Sequence, residues 1–213
     1  GSRPIVLVAF AVITVAMLYF ASMLEVDAGF KKQIPREHEY MKTFEQYEEG
    51  FGGANRVLVA VFAEDGNIFS DEYMTTLEQV SNDVMSLDST DDARMRSLFT
   101  PNVRFVEVVE DGFAGGNVIP NSYSPSSKSG TPEQFNTIRS NIVKANIVGR
   151  LVAKDYSGTM IWADLIPESK DKKTDYPKIA ADFEALRKQY EKGNIKIRII
   201  GFAKLTVGRQ RWN

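Results

Sequence analysis

The sequence predicts an α+β fold, a ferredoxin-like arrangement of split βαβ units preceded by one transmembrane helix. Three observations carry this expectation. Pro4–Leu24 (PIVLVAFAVITVAMLYFASML) is an apolar run with no charged residue and no glycine. Beyond it, short apolar or alternating segments take turns with amphipathic ones, in the order β-α-β-β-α-β-β-α-β. The composition, 43% hydrophobic and 25% charged, is that of a packed chain rather than a disordered one.

As a helix, Pro4–Leu24 would be roughly 30 Å long, about the thickness of a bilayer core. No acid or base interrupts it, so it cannot carry a proton relay. The rival is a secretory signal peptide, whose apolar region is shorter and ends at small residues; Ala21-Ser22-Met23 matches such a site poorly. Residues 1–3 read as a tag remnant (Gly1-Ser2) and a basic flank, Arg3. Lys31, Lys32 and Arg36 follow the helix, so charge alone does not orient it.

Residues 25–55 form a connector, in which Tyr40, Phe44, Tyr47 and Phe51 recur at helical spacing and should pack on the domain. Gly50, Gly52 and Gly53 end that helix. The main domain, 56–205, opens with Arg56–Ala63, apolar on both faces as an inner strand would be. Ser70 caps a helix whose buried stripe is Tyr73, Leu77, Val80, Val84 and Leu87. After a polar loop, Met95–Phe99 and Val103–Glu110 should pair as a hairpin across the Thr100-Pro101-Asn102 turn. Gly112–Gly130 is irregular, and a loop that long is functional or disordered. Thr131-Pro132-Glu133-Gln134 starts a helix with a capping box, and Phe135, Ile138 and Ile142 face inward. Arg150–Asp155 and Thr159–Ile166 flank a turn at 156–158. Thr174 or Asp175 caps the last helix, with Tyr176, Ile179, Phe183, Leu186 and Tyr190 as its stripe and Gly193 as its stop. Ile195–Ala203 is a strand with one wet face, because Lys196 and Arg198 alternate with isoleucines.

Charge and chemistry narrow the function. With 26 basic against 28 acidic residues, net −2, the chain lacks the positive excess of a nucleic-acid binder. Cysteine is absent and histidine occurs once, which removes disulfides, thiolate zinc sites and cysteine nucleophiles. A chain without cysteine fits an extracytoplasmic compartment. His38 lies between Glu37 and Glu39, as a base or ligand or simply a solvated side chain. The acid pairs Asp91-Asp92 and Glu110-Asp111 offer too few oxygen ligands for calcium. Gly112–Gly116 lacks the Gly-Lys-Ser/Thr ending of a phosphate loop, and the serines of Ser122–Ser129 have no histidine partner. The expectation is no enzyme, no metal and no cofactor. The remaining signal is aromatic: Phe99, Phe105, Phe113, Tyr123, Tyr156 and Trp162. Core packing accounts for most of them. Phe113, Tyr123, Phe99 and Trp162 are the candidates to line an apolar, substrate-binding cleft.

Several strings coincide with one family. They are Ile34-Pro35 with His38, Phe51-Gly52-Gly53-Ala54-Asn55, Arg96-Ser97-Leu98-Phe99-Thr100-Pro101, Glu107–Phe113 (EVVEDGF) and Ile199–Lys204 (IIGFAK). From Pro4 to Leu205 the chain resembles the first membrane helix and first large periplasmic loop of Resistance–Nodulation–Division (RND) superfamily permeases, in the MMPL-like exporter branch. The resemblance implies a porter domain within a proton-driven transporter of lipids or other hydrophobic molecules. It places the protein in a bacterial inner membrane with its main domain in the periplasm. The implied partners are the lipid bilayer, the remaining membrane helices and second porter domain of the full-length permease, a hydrophobic cargo, and a further copy in a homo-oligomer. Driving carboxylates of such permeases lie in later helices. Residues 206–213 (TVGRQRWN) are short and basic where the family runs into a second membrane helix, as in a truncated chain or an altered gene product. The competing expectation is a single-helix anchored extracytoplasmic binding or sensor domain.

Overall fold

A computed structural model describes residues 3–22, 38–51, 55–110, 112–166 and 174–201. The flank at 1–2, the segment 23–37 and the tail at 206–213 lie outside the described residues. The chain divides into two units, Gly1–Ile34 and Pro35–Asn213.

The first unit is helix α1, Arg3–Ser22. Its span Arg3–Ala21 has a mean hydropathy of 2.5 and is long and apolar enough to cross a membrane. Apolar side chains stand out all round it, Phe10, Val12, Leu18 and Phe20 among them. Water penalises such a surface and lipid does not. The Thr14 hydroxyl donates to the Phe10 carbonyl at 2.8 Å, so it needs no outside partner.

The second unit begins with α2, Glu39–Phe51. Here the expected packing face is corrected. Tyr40 and Tyr47 are exposed, and Met41 is the buried residue. The side chains of Phe44 and Phe51 lie outside the described residues.

A three-stranded antiparallel sheet forms the centre. Strand β1, Arg56–Ala63, lies between two later strands, Gly158–Asp164 and Ile195–Gly201. Val57, Val59, Val61 and Ala63 face the core with Ile161, Ala163, Ile195, Ile197 and Ile199. Two helices supply the opposing layer: α3, Asp71–Met85, and a late helix, Tyr176–Tyr190. Ser70 caps α3 by accepting from the Tyr73 amide, and Tyr73, Leu77, Val80 and Val84 are buried as the spacing requires. Asp175 caps the late helix, which buries Tyr176, Ile179 and Phe183. Lys196 and Arg198 stand on the outer face of their strand, each ion-paired with a glutamate.

The middle of the chain departs from expectation. Met95–Phe99 does not pair with Val103–Glu110. Instead β2, Arg104–Val109, pairs with β3, Gly112–Asn117, in a separate two-stranded ribbon. Arg96 joins the central sheet by an isolated bridge, exchanging backbone hydrogen bonds of 2.9 and 2.8 Å with Trp162. Thr90 is bridged opposite Leu165 by bonds of the flanking residues, Asp91 amide to Asp164 carbonyl at 2.8 Å and Ile166 amide to Ser89 carbonyl at 2.9 Å. The reason lies in the turn. The Thr100 hydroxyl accepts from the Ser97 amide at 2.9 Å, and the Val103 amide bonds the Thr100 carbonyl. Buried Ser97 also meets Ser81 of α3 at 2.6 Å, which holds this segment against the helix and away from β2.

Gly112–Gly130 is therefore not one irregular loop. Its first part is β3, where a Cβ on Gly115 would lie 2.8 Å from the Phe105 carbonyl oxygen, so this strand needs its small residue. The rest, from Val118 to Gly130, runs into α4, Pro132–Lys144, whose Thr131–Gln134 capping box is present in full. Arg150–Asp155 forms turns with isolated bridges (Val148↔Val152, Val152↔Thr159) rather than a strand. The strand Gly158–Asp164 is β4, the late helix Tyr176–Tyr190 is α5, and Ile195–Gly201 is β5.

Tyr73 ties α3 to the sheet. Its buried hydroxyl donates to the Val61 carbonyl at 2.8 Å and meets the Thr159 hydroxyl at 2.8 Å. Burial pushes this phenol well above its usual range, against the smaller opposing effect of the Thr159 hydrogen bond. Unfolding restores an ordinary value of about 10. The folded state thus holds the proton more tightly, so stability is intact below pH ~10 and falls as pH rises above it. Unfolding midpoints measured across alkaline pH should show this decline, and Tyr73→Phe should flatten it. An equal slope in the variant would assign the decline elsewhere.

Candidate functional site

The ribbon β2–β3 leaves several apolar side chains in the open on one face. Residues two apart on a strand share a face. Phe105 and Glu107 point toward α4, where Lys144 pairs with Glu107 at 2.6 Å and stacks over the Phe105 ring at 5.4 Å. Val106 and Val108 therefore point away. Val108 is directly opposite Phe113, and Val106 is opposite Gly115. Val106 is 67% exposed, Val108 80% and Phe113 81%. The result is an apolar face with no titratable group among these three side chains.

The four candidate substrate-binding residues do not converge. Phe113 belongs to this outer ribbon face. Tyr123 is buried, packs edge-on against Phe135 at 5.5 Å, and donates its hydroxyl to Asp71 Oδ1 at 2.8 Å. Burial and then the Asp71 carboxylate push its phenol well above the usual range. Tyr123 is thus a packing residue, which corrects its expected place beside Phe113. Phe99 is half-buried and packs against the core. Trp162 sits on the outer face of β4, half-buried, beneath guanidinium groups of Arg56, Arg96 and Arg150 at 5.0, 6.0 and 6.0 Å from its ring centroid.

Val106 and Val108 are the residues that sequence reasoning missed. The alternation in Val103–Glu110 could have found them, since it puts both valines opposite Phe105 and Glu107. His38, at the start of α2, stacks on Tyr40 at 5.2 Å. Among the described residues no group of three His, Asp or Glu side chains gathers to hold a metal ion. A polar groove of about 600 Å³ runs between α3 and α5, past Glu72, Gln79, Asp83, Gln189 and Lys192. Tyr190 closes part of it by donating to Asp83 at 2.7 Å. Burial, then Asp83, raises the Tyr190 phenol, which leaves it a donor rather than a base.

No protein-family model matches the chain, and no curated protein matches it. The described residues present an apolar ribbon face and an arginine-ringed tryptophan.

Proposed function

We propose that the chain is the porter-type part of an RND/MMPL-like membrane transporter of lipids or other hydrophobic molecules. It would be anchored in a bacterial inner membrane by α1, with its main domain in the periplasm. The observation that carries this reading is the exposed face of Val106, Val108 and Phe113. Each Å² of apolar area covered there contributes about 25 cal/mol, without any demand for a charged anchor. That suits hydrophobes of varied head group.

The topology supports the same reading. The order β1, α3, the Arg96 segment, β4, α5, β5, with β1 between β4 and β5, fits two split βαβ units whose fourth strand has shrunk to the bridges at Thr90 and Arg96. The ribbon and α4 are then an insertion into that framework. Such a chain works by presenting surface, not by catalysing a reaction.

A photo-crosslinking side chain placed at Phe113 or Val108, in membranes containing the full protein, should label lipid or another apolar molecule. The same group at exposed Lys128 should not. Equal labelling from all three positions, or none from the ribbon, removes the cargo-contact reading.

A further inference from the structure

Among the described residues, the helices that pack on the central sheet, α3 and α5, lie on its inner face, and the outer face has a distinct chemistry. Register places Trp162, Leu58 and Ile200 in one row across β4, β1 and β5. The next row is Met160, Ala60 and Arg198. Neighbouring strands lie about 4.8 Å apart, so the first row is an apolar bar about 10 Å wide. Ile200 is 58% exposed.

At one end of the bar stand three arginines from three distant segments. Arg56 is held by Asp164. Arg96 and Arg150 are exposed, and among the described residues neither has a carboxylate partner; each guanidinium lies 6.0 Å from the Trp162 ring centroid. In a chain whose net charge is −2, two unneutralised guanidiniums over one indole are a local reversal of sign. A second observation points the same way. The indole Nε1–H is enclosed and, among the described residues, has no acceptor. A buried donor left unpaired costs about 1–3 kcal/mol. An incoming carboxylate that draws an arginine aside would both pair the guanidiniums and reach this N–H.

We propose that this sheet face is a docking surface for an acidic segment of a partner protein, with Trp162 as its anchor and Arg96 and Arg150 as its carboxylate receptors. Arginine forks bind planar carboxylates in bidentate fashion. Tryptophan and arginine are the side chains that dominate protein interfaces, and the flanking Leu58–Ile200 bar offers the dry contact that such anchors need. An extended segment alternating acidic and apolar residues fits both features, because its acids would meet the arginines while its apolar residues cover the bar.

The test uses the full chain in zwitterionic detergent, with Trp212→Phe so that Trp162 is the remaining tryptophan. The probe is a short peptide alternating Glu and Leu, with a Lys–Leu peptide, inorganic phosphate and anionic-lipid nanodiscs as comparison arms. The acidic peptide should shift Trp162 emission saturably, and the basic peptide should not. Arg96→Glu with Arg150→Glu should weaken binding by about tenfold or more, the loss typical of anchor arginines. Both side chains are exposed, so the unfolding midpoint should hold. If it falls, the single changes Arg96→Gln and Arg150→Gln give the same reading in a folded chain. An acidic peptide that leaves Trp162 unmoved, or binds the variants equally well, overturns the proposal. So does an equal response to phosphate or anionic lipid, which would make this a phosphate site.

Discussion

Replacing Phe183 by Ala is expected to lower the unfolding free energy by about 3–5 kcal/mol, the range for deleting a large buried aromatic. Phe183 is 2% exposed, on the same stripe of α5 as Tyr176 and Ile179. It belongs to the cluster formed by the inner sheet face, with Val57, Ile197 and Ile199, and by α3. Truncation removes ring contacts from both layers at once, and a well-packed cluster closes such a void only partly. His38→Ala is the matched control: an exposed change outside the core should stay within about 0.5 kcal/mol. Urea unfolding of both variants measures the contrast. Equal costs would mean that α5 presents a different face to the sheet.

That stripe was readable because a helix face depends on spacing alone. The same holds for the α4 start, where Thr131 and Gln134 satisfy each other's backbone amides within four residues. β1 was readable as an inner strand because its apolar residues occupy both parities, although only its Val57–Ala63 face is fully covered. β3 was not readable. Gly112, Ala114, Gly115 and Gly116 carry almost no strand preference, and the strand exists because β2 accepts small residues at close range. The ribbon's outer face was half legible: Phe113 stood out as an aromatic, whereas for the valines beside it the alternation groups the two on one face and the Lys144 contacts on the other decide which face is outward. The ring around Trp162 was out of reach, since Arg56, Arg96 and Arg150 are brought together by strand pairing and bridges, not by spacing.

The stretch from Val118 to Gly130 shows the same limit, and one side chain fastens it at two points. Asp71, in the first turn of α3, accepts from the Tyr123 hydroxyl at 2.8 Å through one oxygen and from the Gly130 amide at 3.0 Å through the other. Further bonds, from Asn141 Nδ2 to the Val118 carbonyl and from Gln134 Nε2 to the Ser122 carbonyl, fasten the same stretch to α4. Nothing in the local sequence announces these partners, so glycines, serines and prolines read as a loop. Asp71→Ala should therefore cost about 2–4 kcal/mol, because hydrogen bonds to a charged group contribute about 1.5–3 each and a buried tyrosine hydroxyl loses its acceptor. Loss of an acid beside the α3 N-terminus adds to the same side. Limited proteolysis should then cut within residues 118–131 before the rest of the domain. Gly130→Ala should expose the same stretch by another route, since its Cβ would fall 2.6 Å from both Asp71 Oδ1 and the Phe135 ring. If Asp71→Ala stays within about 0.5 kcal/mol, as a surface change would, and the cleavage pattern is unchanged, Asp71 does not anchor this stretch.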